Sequence, residues 1–143
     1  MPYRYLEEIA LADAAFEAWG GSLEEMFVSA ADATLNIMIV DLAAIRRREY
    51  RHFRIQAAQL DMLLFQLLQE LVFYKDAEQL LLLVQTVRIE KERNGWTAFV
   101  EVAGEPIDAA RHELIVDIKA ITLHRLKVEE NPQGWSATVT VDV

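Results

Sequence analysis

The chain has 143 residues, of which 53% are hydrophobic and 26% charged, and its 14 basic and 23 acidic residues give a formal net charge of −9. Such a chain is long and apolar enough to fold as one globular domain, which excludes a disordered protein. It has no cysteine, which excludes disulfides and thiolate metal sites and is typical of a reducing cytoplasm. The acidic balance disfavours direct binding to nucleic acid and favours contact with a basic protein or a cation.

No secretion signal or membrane segment is predicted. The first residues lack the basic region and apolar region of a signal peptide. The most apolar stretch, residues 60–74, is interrupted by aspartate, glutamine and glutamate and is too short to cross a bilayer. We therefore expect a cytoplasmic protein without a membrane partner.

The chain begins with two predicted strands and a helix. Partial alternation predicts strands at residues 3–8 and 14–19, joined by a turn near Leu11-Ala12-Asp13. Ser22 and Glu25 then have the spacing of a capping box, in which each side chain satisfies a terminal backbone N–H. Apolar residues recurring every three or four positions extend this helix to about residue 40.

A strand and a second helix follow. Alternation predicts the strand at residues 49–57. From Gln59 onward, leucines at helical spacing form one wide apolar stripe, which predicts a helix packed against the sheet. Leu64 and Leu68 are expected to be buried in that contact.

The second half is predicted to consist of strands in hairpins, separated by one irregular segment around Gly104 and Pro106. Asn94-Gly95 is typical of a tight hairpin turn, and residues 131–134 turn the chain before its last strand. Two helices and about six strands predict one α+β domain over residues 1–143, with a mixed or antiparallel sheet of about six strands and both helices packed on one face. The strands of this half are expected at residues 80–92, 96–102, 114–129 and 135–143.

The sequence contains no phosphate-binding loop, dinucleotide fingerprint, nucleophile elbow or zinc-binding helix motif, so it is not expected to be an enzyme on its own. His112-Glu113 suggests acid–base chemistry, but adjacent residues of a strand point to opposite faces, and a structural or surface role is favoured for each histidine. The arginines at positions 46–48, 51 and 54 are interpreted as solvated surface rather than as an RNA-binding patch.

Two aspartates near the ends of the chain are candidate metal ligands. If the first and last strands are neighbours, Asp13, Asp142 and the α-carboxylate of Val143 converge, and such hard oxygen donors suit Ca²⁺ or Mg²⁺. From spacing alone, a turn aspartate and a frayed terminus are the favoured alternative. Lys119 interrupts an apolar run, and exposure to solvent is the default interpretation.

Several stretches together resemble the archease family over nearly the whole chain. The similarity begins at the Asp13–Gly20 segment and continues through the leucine-rich second helix. The most specific matches are Gly104-Glu-Pro-Ile-Asp108 with the following Arg111-His-Glu-Leu114, then Ile118-Lys-Ala-Ile-Thr122 with His124, and the ending Val139-Thr-Val-Asp-Val143.

The resemblance implies a function that the residues alone do not. Archeases are accessory proteins of the RNA-splicing ligase of tRNA maturation and RNA repair; they promote its nucleotidylation and its repeated turnover. The resemblance places a divalent-metal site, with calcium or magnesium, at Asp13, Asp142 and Val143, and a residue supporting activation at Lys119, with His112 and Glu113 as further supporting residues. The alternative is a chaperone-like binding module for RNA-modifying enzymes, without a metal role.

One departure from the family pattern precedes the first aspartate. Many archeases have His-Thr-Ala there, whereas this chain has Ala10-Leu11-Ala12. The substitution retains the aspartate but removes two polar side chains next to it. Whatever positioning or partner contact those side chains provide is expected to differ in this protein.

Overall fold

The computed structural model describes residues 2–6 and 13–143. This part of the chain forms two helices and eight strands in two antiparallel sheets, with a short 3-10 helix at Leu42–Ala44. The elements in chain order are β1 (Tyr3–Leu6), β2 (Asp13–Gly20), α1 (Leu23–Met38), β3 (Glu49–Ala57), α2 (Leu60–Glu78), β4 (Leu80–Glu92), β5 (Gly95–Pro106), β6 (Ala120–Ile121), β7 (Lys127–Asn131) and β8 (Gly134–Asp142).

In the larger sheet, β8 is the strand that pairs with most of the others. Its order is β1-β2-β8-β6, and β7 also pairs with β8. Alternation along β2 and β8 directs Phe16, Ala18 and Val139 into the core, where all three are fully buried. The opposite face of the same two strands therefore carries Asp13 and Asp142.

The smaller sheet consists of two long hairpin strands and one added strand, in the order β3-β5-β4. Arg93 and Asn94 make the β4–β5 turn, and Gly95, which follows them as the first residue of β5, has a φ of 147°. This positive φ explains why glycine stands there. The inward face of this sheet carries Phe53, Ile55 and Val100 into the same core cluster as the larger sheet.

Each helix packs against strands of both sheets. The Glu25 N–H donates to Ser22 Oγ at 3.1 Å and the Gly21 N–H donates to Glu25 Oε2 at 3.0 Å, which starts α1 as the capping box predicts. Helix α1 packs on β2 and β4, and α2 packs on β3, β4 and β5 and reaches β6. Leu64 and Leu68 are fully buried, as expected. Within the described residues, neither helix combines the length and hydropathy needed to cross a membrane.

The α+β class and the helices are confirmed, but the strands are divided differently from the expectation. Instead of one sheet of about six strands, the described residues form eight strands in two antiparallel sheets. The strand expected at residues 114–129 is broken, because Arg125 adopts a φ of 56° in a turn between β6 and β7. The segment expected to be irregular instead continues β5 to Pro106.

The start of the chain also differs in part. The first strand is expected at residues 3–8 and is observed at Tyr3–Leu6. Its predicted last residues, Glu7 and Glu8, lie outside the described residues. So do Ala10, Leu11 and Ala12. Asp13 was expected in the turn but is the first residue of β2, where it enters the backbone ladder. That ladder fixes the position of Asp13 relative to the other end of the chain.

Candidate functional site

Asp13 and Asp142 lie directly opposite each other in the larger sheet. They form the last pair of the antiparallel β2–β8 ladder. Directly opposed residues share a face, with Cβ atoms about 4.5–5.5 Å apart. Like charges so placed repel each other, so the pair contributes nothing to folding by itself. The structure thus brings together two carboxylates from opposite ends of the chain.

A buried hydroxyl lies on the same face, two pairs further along the ladder. Thr140 pairs with Ala15 and is only 1% exposed. Within residues 2–6 and 13–143, its Oγ1 is the one buried side-chain polar atom without a hydrogen-bond partner. Burying an unpaired hydroxyl is unfavourable, so such an atom calls for an explanation such as a bound water or ion. The residue is two positions from Asp142, about 7 Å along the strand.

Lys119 is attached to this site through its backbone. Its N–H donates to the Asp142 carbonyl at 2.8 Å, immediately before β6 pairs with β8 at Ala120 and Asp142. The Lys119 side chain is exposed, as the sequence suggested. The backbone of the site therefore comes from β2, β8 and the segment that enters β6.

A buried lysine from α2 holds the segment just before Lys119. Lys75 is only 5% exposed, and its Nζ donates to the Ile118 carbonyl at 2.8 Å and to the carboxylates of Asp117 and Asp76. Burial alone lowers the pKa of Lys75, but the hydrogen bonds to Asp117 and Asp76 outweigh it, and the net pKa is raised. Lys75 is therefore charged at neutral pH, and it holds the carbonyl of the peptide group between Ile118 and Lys119, whose N–H donates to the Asp142 carbonyl.

The residues present suit a hard divalent cation. Asp13 and Asp142 offer carboxylate oxygens, and the unpaired Thr140 hydroxyl could accept a hydrogen bond from, or donate one to, a water in the same region. No group of three or more histidine, cysteine, aspartate or glutamate side chains that could hold a metal ion forms in the described part of the chain, so this site has only its two aspartate side chains. The third proposed donor, the Val143 carboxylate, belongs to the main chain and lies next to Asp142 in sequence.

His112 lies in a different part of the fold, in a buried ionic network. Its Nδ1 accepts from the Asp108 N–H at 2.9 Å, so Nε2 carries the proton and donates to Glu105 Oε2 at 2.9 Å. Glu105 also accepts from Arg111 and from the Arg46 N–H. The Arg111 guanidinium is the main reason that the pKa of Glu105 falls to about 2.

This network indicates a structural role for His112, because both ring nitrogens are bonded and the ring is buried. Glu113 is exposed, and its carbonyl accepts from the Val40 N–H at 2.9 Å. Neither residue lies on the strands that carry Asp13 and Asp142. The structure therefore does not bring the proposed supporting pair into the carboxylate site.

Three of the five arginines at positions 46–48, 51 and 54 have side-chain partners within the protein. Arg51 contacts Glu49 and Glu78. Arg47 Nε donates to Gln85 at 2.6 Å, and Arg54 lies over the Phe99 ring. These contacts suit the interpretation of the cluster as ordinary protein surface.

Comparison with known proteins identifies the family. The sequence profile of the Archease protein family matches residues 3–143. The chain belongs to the archease family.

Named relatives and solved structures agree with that assignment. Archease from Pyrococcus abyssi is 34% identical over 92% of this chain and 93% of its own length, and archease from Methanopyrus kandleri is 33% identical over the whole of both chains. The solution structure of a Methanobacterium thermoautotrophicum protein superposes with a TM-score of 0.84 at 29% identity, covering 99% of each chain. An archease from Thermotoga maritima, described as a possible chaperone, has the same fold, with a TM-score of 0.64 at 21% identity and coverage of 96% and 97%.

Within this archease fold, sequence reasoning found the aspartates but missed two residues of the site. Thr140 looks like an ordinary β-branched strand residue, and only its burial without a partner distinguishes it. Lys75 lies near the end of an amphipathic helix, where a basic residue is unremarkable. Lys75 is distinguished only by its burial, because the other buried residues of α2 are all apolar.

Proposed function

We propose that this archease is an accessory activator of the RNA-splicing ligase, and that it acts through a divalent cation bound by Asp13, Asp142 and the Val143 carboxylate. The observation that supports the proposal most is the direct pairing of Asp13 with Asp142 on one face of the sheet. A like-charged pair is retained at a cost to folding, which a bound cation would remove.

The cation would supply positive charge that neutralises phosphate oxygens during nucleotidylation of the ligase. The protein's own contribution is to position the carboxylates. The β2–β8 ladder fixes Asp13 relative to Asp142, and the backbone bond from Lys119 fixes the end of β8. Such preorganisation means that little conformational freedom is lost when the ion binds.

Lys119 contributes the mobile charge of the site. The peptide group that precedes it is bonded through both its carbonyl and its N–H, whereas the Lys119 side chain is exposed. A lysine ammonium is a compact point charge on a flexible stem, suited to an anionic group presented by a partner. We assign it contact with a nucleotide phosphate or an acidic residue of the ligase.

The test measures ligase guanylylation with the purified ligase and saturating amounts of each variant. Asp13→Asn and Asp142→Asn should remove most of the stimulation. Glu130→Gln is the matched control, because this exposed residue of β7 loses the same charge away from the site. Equal stimulation by all three variants would contradict the metal role, and would favour the chaperone-like alternative if the ligase is still bound.

A further inference from the structure

An apolar strip lies beside the segment that carries Lys119. We define it as Val40, Leu114, Ile115 and Val116, whose exposed fractions are 48%, 47%, 52% and 46%. The four residues are contiguous, because Ile39 bridges to Leu114, the Val40 N–H donates to Glu113 and the Ile115 N–H donates to Met38. Leu114, Ile115 and Val116 are consecutive in sequence, and an extended chain would normally bury alternate side chains.

The strip is a preformed surface. Bonds to Met38 and Ile39 hold its beginning, while the burial of Ile118 and the contacts of Lys75 hold the residues just beyond it. An open cavity of about 170 Å³ adjoins it. The cavity is lined by three residues of the strip, Leu114, Ile115 and Val116, and by Met38, Lys75, Leu81, Ile107 and Asp117.

The surroundings of the strip are acidic. Glu113 and Asp117 flank it in sequence, and Asp41 follows Val40; all three are exposed. Asp76 is exposed beside them; it and Asp117 share the one charge of Lys75, so the four carboxylates leave the rim net acidic. Such a rim repels a second copy of this chain, whose net charge is also −9, and attracts a partner with lysine or arginine around an apolar group.

We propose that the apolar strip docks a partner protein through an apolar side chain that enters the cavity, flanked by basic residues that face the acidic rim. An exposed apolar patch with a polar rim has the anatomy of a protein interface. The inference rests on the proposed function, since the partner is taken to be the ligase. Docking on this strip would bring Lys119, three residues beyond Val116, to the same partner.

Variants of the apolar strip test docking separately from activation. Ile115→Asp and Val116→Asp should each weaken binding to the purified ligase by about tenfold or more, because each places a charge where an apolar contact forms. Glu113→Lys should weaken binding most at low salt, since it reverses one charge of the rim. Phe73→Asp is the matched control: Phe73 is 55% exposed but lies on α2 away from the strip.

Binding is measured by calorimetry and stimulation by ligase guanylylation over a range of archease concentrations. The strip variants should raise the concentration needed for half-maximal stimulation and leave the maximum near that of the unmodified protein. Asp142→Asn should lower the maximum instead. Thermal unfolding of each variant excludes loss of folding, and Val116→Asp serves if Ile115→Asp does not fold.

Three results would overturn the inference. If the strip variants bind as tightly as Phe73→Asp while Asp142→Asn loses stimulation, the strip is not the docking surface and the proposed function stands. If the unmodified protein neither binds nor stimulates the ligase, the proposed function fails, and the ligase is not the partner that docks on the strip. If sedimentation shows a dimer that Ile115→Asp converts to a monomer, the strip joins two copies of this chain.

Discussion

Thr140 offers a test in which stability and metal binding change in opposite directions. Its side chain is almost fully buried, and its hydroxyl has no partner among the described residues. Thr140→Val replaces that hydroxyl with a methyl group of similar shape, so the fold is preserved while the unpaired polar atom is removed.

The expected magnitude follows from the cost of burying an unpaired hydroxyl. That cost is about 1–3 kcal/mol, and removing it should stabilise the metal-free protein by about 1–2 kcal/mol once imperfect packing of the methyl group is allowed for. If the hydroxyl holds a water beside the bound ion, the same change should weaken calcium or magnesium binding several-fold.

The assay is chemical denaturation in the presence of a chelator, followed by calorimetric titration of the metal. Thr140→Ser is the matched control, because it retains the hydroxyl while removing the methyl group. Destabilisation by Thr140→Val of more than about 1 kcal/mol without metal would refute the reasoning, since it would show that the hydroxyl makes a favourable bond. Unchanged metal affinity would separate Thr140 from the ion site.

Three further predictions concern the core, the buried ionic network and Lys119. Leu68→Ala should lower the free energy of unfolding by about 2–5 kcal/mol, because the residue is fully buried; a change below about 1 kcal/mol in urea denaturation would be inconsistent with that packing. The pKa of Glu105 is lowered to about 2, so this carboxylate stabilises the fold above its ordinary pKa near 4.5, and that stability should be lost as the pH falls toward 2. Glu105→Gln should flatten this part of the pH–stability curve, and an unchanged curve would contradict the assignment. Lys119→Ala should change the free energy of unfolding by less than about 1 kcal/mol while ligase guanylylation falls sharply; full stimulation would remove Lys119 from the mechanism.

Local signals in the sequence predicted most of the elements. The capping box at Ser22 placed the start of α1, and the leucine stripe placed α2, because helix ends and helix faces depend on residues a few positions apart. The Asn94-Gly95 pair likewise indicated the β4–β5 hairpin, whose turn is formed by Arg93 and Asn94. These features need no information about distant parts of the chain.

Features that depend on long-range packing could not be predicted in the same way. The division into two sheets depends on how β8 is shared among β2, β6 and β7, which alternation within a strand does not specify. The break at Arg125 requires a positive φ that a non-glycine residue rarely adopts.

The candidate site shows the same limit. The family resemblance pointed to the two aspartates as metal ligands. Only the register of β2 with β8 shows that they lie directly opposite each other. The partnerless Thr140 hydroxyl and the contacts of Lys75 depend on tertiary packing, which no local pattern reports.

The pairing of β2 with β8 has a consequence for the synthesis of the protein. Strand β2 lies at residues 13–20 and β8 at residues 134–142, so β2 is synthesised well before β8 and lacks this neighbour in the interval. During that time its edge and its apolar residues, including Phe16 and Ala18, are available to other chains. The carboxylate pair therefore forms only when the sheet is completed, and a chain that ends before β8 lacks it.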